Sequence, residues 1–268
     1  MLTEPFRRDG LTLAVGAVGE GRPLMLQHGL RGDAAQTAEI GPLGGGRQSL
    51  TLECRGHGSS DPGPYDALSL ATFAEDLAAF IEARLRPPVP VGGISMGAAL
   101  ALRLAVMQPD LVSALILIRP AWGCDDAPPN LAPYALCGDL LARHPPEEAL
   151  AVFDVTAIAR RLGEEAPDNL ASLRAILLSE PTEVTRALLA RIAADGPGVT
   201  RAQLARLGLP ALVIGQDRDH AHPLALATEL ATLIPGARLV QVPPKAESRD
   251  RHREGVRQAL ASSFQELP

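Results

Sequence analysis

Ser95 stands between two glycines in the stretch Val91-Gly92-Gly93-Ile94-Ser95-Met96-Gly97-Ala98-Ala99-Leu100. A serine hydroxyl is a poor nucleophile. It reacts only when a base takes its proton and when it stands clear of the backbone. A sharp turn from strand into helix meets the second need, and small residues two before and two after the serine let the chain fold back on itself. The flanks predict such a turn: residues 89–94 read as a short buried strand and residues 95–107 as a helix rich in Ala and Leu. A glycine-rich turn carrying an inert serine is the competing reading of this motif taken alone.

A nucleophilic serine needs a base and an acid to orient it. The chain has six histidines. His28 opens the string His28-Gly29-Leu30-Arg31-Gly32-Asp33 after one strand, and His57 lies in the glycine-rich turn Arg55-Gly56-His57-Gly58-Ser59-Ser60 after the next. His144 falls near the end of a helix, where a surface role suits it. His220 and His222 flank the acid-rich string Gly215-Gln216-Asp217-Arg218-Asp219-His220-Ala221-His222-Pro223, and His252 lies in the charged string Arg249-Asp250-Arg251-His252-Arg253-Glu254. His-x-His beside two aspartates suggests a metal, but without a distant third ligand it is a poor zinc pattern, and no metal is expected.

The elements that would hold these groups alternate. Strands are predicted over 11–18, 23–27, 48–54, 89–94, 111–118, 211–214 and 238–242, and helices over 34–40, 69–85, 95–107, 223–233 and 251–264. The continuous apolar run 111–118 suits a central parallel strand. Residues 41–46 read as turn. Between residues 122 and 207 the alternation stops, and only helical pieces follow: 131–143, 146–161, 168–178, 181–194 and 200–206. Some eighty residues of helix are thus inserted between two strands of one sheet.

Composition narrows the classes. The chain has 268 residues, 46% of them hydrophobic, enough for a large core. A net charge of -6 and the lack of a basic run argue against nucleic acid. No run of 18 apolar residues is present, so no membrane span is expected, and residues 1–10 carry charge rather than an apolar signal core. Cys54, Cys124 and Cys137 are an odd number without metal spacing, which fits a reducing cytoplasm. The abundance of Pro, Ala and Arg fits a bacterial source.

Taken in order, His28-Gly29, Arg55-Gly56-His57-Gly58-Ser59-Ser60, Gly93-Ile94-Ser95-Met96-Gly97 and the string from Gly215 to Pro223 resemble the α/β-hydrolase fold with a helical cap. The resemblance implies an α/β architecture: a mostly parallel, doubly wound sheet formed by residues 1–121 and 208–268, with residues 122–207 as the cap. It implies Ser95 as nucleophile and the backbone N–H groups of Leu30 and Met96 as the oxyanion hole. It implies Asp219 as the acid, four residues before Pro223, with Asp217 left to order the loop. No cofactor is implied.

The pattern breaks at the base. The family carries its histidine just after the last strand, where this chain reads Val242-Pro243-Pro244-Lys245-Ala246-Glu247-Ser248. His252 is the later histidine, and it serves only if residues 245–251 form a loop that carries it back over Ser95. Three side chains are candidates for substrate contact: His28, Arg31 and Arg119. The two arginines stand at carboxyl ends of strands, where ligands of open α/β sheets bind, and would suit a carboxylate-bearing substrate. Pairing with a nearby aspartate competes with that role.

The expectation is a serine hydrolase acting on an ester, thioester or lactone of a small, largely apolar molecule. The alternatives are a catalytically silent ligand-binding protein that lost its base, and a cofactor-free lyase or C–C hydrolase on the same fold. A small-molecule substrate is the expected partner, and a homodimer through the cap helices is compatible with the sequence.

Overall fold

The computed structural model describes residues 3–41 and 46–264. The turn expected over 41–46 lies mostly outside them. The chain opens with a hairpin, β1 (Phe6–Arg8) and β2 (Leu11–Leu13), around Asp9 and Gly10, both at positive φ. There follow β3 (Val15–Gly19), β4 (Arg22–Gln27), α1 (Ala34–Ala38), β5 (Arg47–Leu52), α2 (Leu70–Arg84), β6 (Val89–Ile94), α3 (Met96–Met107) and β7 (Val112–Ile118). The helical insertion holds α4 (Ala132–Leu141), α5 (Pro146–Asp154), α6 (Ala157–Glu165), α7 (Pro167–Leu177), α8 (Thr182–Ile192) and α9 (Arg201–Leu204). The sheet resumes with β8 (Ala211–Gly215), α10 (Leu224–Leu233), β9 (Arg238–Gln241) and α11 (Arg249–Phe264).

Seven strands form one sheet in the order β3-β5-β4-β6-β7-β8-β9. Only β3 runs antiparallel. The apolar runs explain why the inner strands sit at its centre. Leu24, Met25 and Leu26 of β4 and Ile116 and Leu117 of β7 have no exposed surface. A strand covered on both faces must be apolar on both, and each such side chain contributes about 1.5–3 kcal/mol on burial. The single edge strand expected over 11–18 is two strands in different sheets, β2 and β3.

The insertion packs over the carboxyl ends of the strands. Trp122, Leu131, Tyr134, Phe153, Leu173 and Leu188 form one apolar cluster with Met96, Ala99 and Leu100 of α3. The helix expected over 146–161 is broken at Val155, because Thr156 caps α6 by accepting from the Ala159 N–H at 3.1 Å. No helix among the described residues is long and apolar enough to cross a membrane.

Candidate active site

The turn from β6 into α3 holds Ser95 at φ 57 and ψ -110. A non-glycine residue at positive φ is strained, and the surroundings impose it here. Two glycines make it feasible. A Cβ on Gly93 would stand 2.3 Å from the carbonyl carbon of Gly97, and one on Gly97 would stand 2.3 Å from the carbonyl oxygen of Gln27. Only hydrogen fits at either place, which is the physical content of the Gly-x-Ser-x-Gly spacing.

The ring of His222 meets the serine. Its Nε2 lies 2.8 Å from Ser95 Oγ, and its Nδ1 lies 2.8 Å from Asp219 Oδ1. Asp219 ends a short run after β8 and is buried with an unusual number of donors. Gln216 Nε2 and Arg119 Nε reach its Oδ2 at 2.6 and 2.8 Å; Asn169 Nδ2 reaches its Oδ1 at 2.9 Å. Burial works to raise this carboxyl, but the charges of His222 and Arg119 and these hydrogen bonds hold it well below the usual carboxylate range. It stays ionised, so its oxygens accept and His222 Nδ1 donates. The lone pair of Nε2 then faces the serine hydroxyl, as a general base requires. Burial also lowers the basicity of His222; Asp219 opposes that and Arg119 adds to it.

His252 is not the residue at Ser95. The chain from 244 to 248 turns tightly and α11 starts at Arg249, so His252 sits in the first turn of a helix rather than on a returning loop. Its backbone N–H is held by Ser248 O at 3.0 Å, and its Nδ1 donates to Pro243 O at 3.0 Å. Lys245, at the family's usual base position, pairs instead with Asp168 of α7 at 3.2 Å. The histidine that meets Ser95 thus lies on the loop of Asp219, three residues beyond it, and not in the loop after the last strand. Two signals pointed there: a histidine missing from its usual place, and His222 adjoining Pro223 at the carboxyl end of β8. Its place beside the acid-rich string makes His222 look like a flanking residue in the sequence.

The remaining candidates fall as follows. Asp217 is exposed and accepts from Gln241 Nε2; it is away from His222. His28 is fully buried: its Nδ1 donates to Gly29 O at 2.8 Å and its Nε2 accepts from the Cys54 N–H at 3.0 Å. It orders the loop and has no surface to offer a substrate. Arg119 is also not available as expected. The buried carboxylate of Asp219 draws its Nε and Nη2, the latter to 2.7 Å. Arg31, at φ 59, donates to Gly56 O at 3.3 Å and to Glu180 O at 3.1 Å, so it bridges the core and the helical insertion. His57 donates through Nδ1 to Arg55 O, and His144 pairs with Glu148 at the surface.

Leu30 and Met96 present main-chain N–H groups that donate to no acceptor among the described residues. The Leu30 loop is set by three contacts. The Gly29 N–H donates to Gln36 Oε1 at 2.7 Å, the Gly32 N–H to Gly29 O at 2.9 Å, and Asp33 caps α1 by accepting from Ala35 and Gln36. Met96 is the first residue of α3, where helix N–H groups have no partner within the helix.

Among known proteins, the model of the alpha/beta hydrolase fold family matches residues 22–136. A pimeloyl-acyl-carrier-protein methyl ester esterase of Serratia marcescens is 30% identical over 229 residues, covering 82% of this chain and 85% of that protein. A Mycobacterium tuberculosis protein carrying a non-heme bromoperoxidase name, BpoC, is 28% identical over 240 residues, covering 87% of this chain and 89% of its own. In structure, a thermophilic esterase from Thermogutta terrifontis superposes with a TM-score of 0.73 at 23% identity, covering 99% of this chain and 98% of the other. With an elbow serine, a parallel sheet and these relatives, the chain belongs to the alpha/beta hydrolase fold family.

Proposed function

We propose that this protein is a serine hydrolase that cleaves an ester, thioester or lactone of a small, largely apolar molecule, with Ser95, His222 and Asp219 as its triad. The observation that carries the reading is His222, with one ring nitrogen 2.8 Å from Ser95 Oγ and the other 2.8 Å from Asp219. The esterase names of relatives support the reaction class.

In this reading Ser95 Oγ attacks the carbonyl carbon while His222 Nε2 takes its proton. The carbonyl oxygen becomes an oxyanion and is held by the Leu30 and Met96 N–H groups, each donor contributing on the order of 3 kcal/mol to the transition state. Asp219 keeps Nδ1 protonated and stabilises the imidazolium. His222 gives the proton to the leaving oxygen (sulfur for a thioester) and an acyl-serine remains; His222 then deprotonates a water that attacks the acyl carbon, the bond to Ser95 Oγ breaks, and Oγ takes the proton back from His222 as the acid is released. The segment over residues 122–207 acts as the cap, and its Trp122, Leu131 and Tyr134 belong to one apolar cluster with Met96, the residue after Ser95. A carboxylate-selecting role for Arg119 is dropped, since Asp219 holds it. The silent-protein alternative was motivated by a missing base, and His222 removes that motive.

Labelling with a fluorophosphonate, read by intact mass, tests the assignment. Wild type and His252→Ala should label; Ser95→Ala and His222→Ala should not. Undiminished labelling of His222→Ala would overturn the triad.

A further inference from the structure

Ala221 lies between the acid and the base of the proposed triad and is buried. A buried peptide group needs a partner for its N–H and for its C=O. β8 has already ended at Gly215, so the sheet supplies neither. Both partners are side chains of the helical insertion. The Ala221 N–H donates to Asn169 Oδ1 at 3.0 Å, and Ala221 O accepts from Asn130 Nδ2 at 2.7 Å. The same Nδ2 donates its other proton to Ala121 O at 2.9 Å. Both of its neighbours are carbonyl oxygens, which only accept, so the amide has one possible orientation and both its N–H groups are used.

The local sequence holds Asn130 in place. Pro128 and Pro129 fix φ just before it. The Leu131 N–H donates to Pro128 O at 2.9 Å and closes a 3₁₀ turn over Pro129–Leu131. Leu131 is buried and anchors that turn in the apolar cluster of Trp122 and Tyr134. Ala121 is the last residue before the insertion. Asn130 therefore ties the segment leaving β7 to the loop leaving β8, and these two strands are neighbours in the sheet.

The peptide unit that joins Ala221 to His222 is held at both ends. Its C=O is gripped by Asn130, and its N–H donates to Asp219 Oδ1 at 3.2 Å. A peptide unit is planar, so holding both ends stops it from turning. The direction of the His222 side chain follows from that plane, and with it the approach of Nε2 to Ser95 Oγ at 2.8 Å. Asn169 and Arg119 reach the acid; Asn130 is the contact from outside the loop that acts on the peptide of the base.

We propose that Asn130 is a positioning residue for His222, one that holds the Ala221–His222 peptide so that the ring stays on Ser95. The helical insertion then supplies part of the proton-transfer scaffold as well as covering the site. This rests on the reading of Ser95, His222 and Asp219 as a triad.

The test compares full-length wild type, Asn130→Ala and Asn130→Asp, the last of which keeps the shape but turns oxygens toward two carbonyls. Thr156→Ala, which removes the cap of α6, serves as a control that loosens the insertion away from the loop. Rates of fluorophosphonate labelling, kcat and KM for p-nitrophenyl butyrate, the NMR signal of the His222 Nδ1 proton and the urea midpoint are measured for each. Both Asn130 variants should label about tenfold to a hundredfold more slowly, the cost of a displaced reacting group. Their kcat should fall by a similar factor with KM within about twofold, and their His222 Nδ1 proton should exchange faster with water. Thr156→Ala should lower the urea midpoint and leave the other readouts unchanged. Wild-type labelling rate and His222 signal in Asn130→Ala would overturn the proposal, and so would an equal loss in Thr156→Ala. Absence of labelling in wild type would end the hydrolase reading instead, and the His222 signal would still decide whether Asn130 holds the ring.

Discussion

Arg119 Nη2 stands 3.1 Å from His222 Nδ1 and 2.7 Å from Asp219 Oδ2. A guanidinium only donates and a carboxylate only accepts, so Nδ1 can satisfy one of them at a time. Asp219 Oδ1 is nearer, at 2.8 Å, and keeps the proton on Nδ1. Arg119 then acts on His222 as a fixed positive charge. Lys245 adds to it more weakly, and Asp219 opposes both. In the proposed mechanism neutral His222 is the active form, so activity should be lost as pH falls through its pKa, which lies below the ordinary imidazole value. Arg119→Met should therefore shift the acid limb of kcat/KM to higher pH. A pH–rate profile of the variant checks this, and an unmoved limb would refute it.

Asn169 links the helical insertion to the reaction centre. From the first turn of α7 its Nδ2 donates to Asp219 Oδ1 at 2.9 Å, and its Oδ1 accepts from the Ala221 N–H at 3.0 Å. Asn169→Ala should leave a buried N–H unpaired, at a stability cost of about 1–3 kcal/mol. It should lower kcat more than it raises KM, because the loop that carries base and acid loses its clamp. Urea unfolding alongside steady-state kinetics would separate the two effects.

Gly93→Ala should prevent the elbow from closing. The added carbon would meet backbone at 2.3 Å, where no flexible side chain can give way. A loss of more than about 3 kcal/mol is expected, at the upper end of overpacking costs. The urea midpoint measures it, and a near-neutral result would mean that the turn is looser than drawn.

Away from the chemistry, Arg55 grips Asp76 with Nε at 2.7 Å and Nη2 at 2.8 Å, which ties the turn after β5 to α2. Both side chains are nearly sealed from water. Asp76→Ala leaves the buried Arg55 with only the exposed Asp9, 3.0 Å from its Nη2, so it should cost about 3 kcal/mol, the low end for breaking a buried pair. Replacing both with apolar groups should cost less, and a double-mutant cycle would show it.

Much of this was legible in the residues. Continuous apolar runs marked β4, β6 and β7, and Ser69 marked the start of α2, where its hydroxyl accepts from the Thr72 N–H. The Gly-x-Ser-x-Gly spacing marked Ser95, because its cause is local sterics. What failed was long-range. Whether residues 245–251 loop back or continue as helix depends on how they pack against β9 and Asp168, which no local pattern carries. The same holds for Arg119: its strand end was visible, but the carboxylate that draws it lies 100 positions away. His222 was in plain view, and only the expectation of a base after the last strand hid it.

Asp219 and His222 share one short loop, so two of the three side chains of the proposed triad travel on a single four-residue segment. β9 and α11 are thereby relieved of carrying a reacting group and keep only packing tasks. Any event that melts the loop between Gly215 and Pro223 disarms proton transfer completely rather than by degrees.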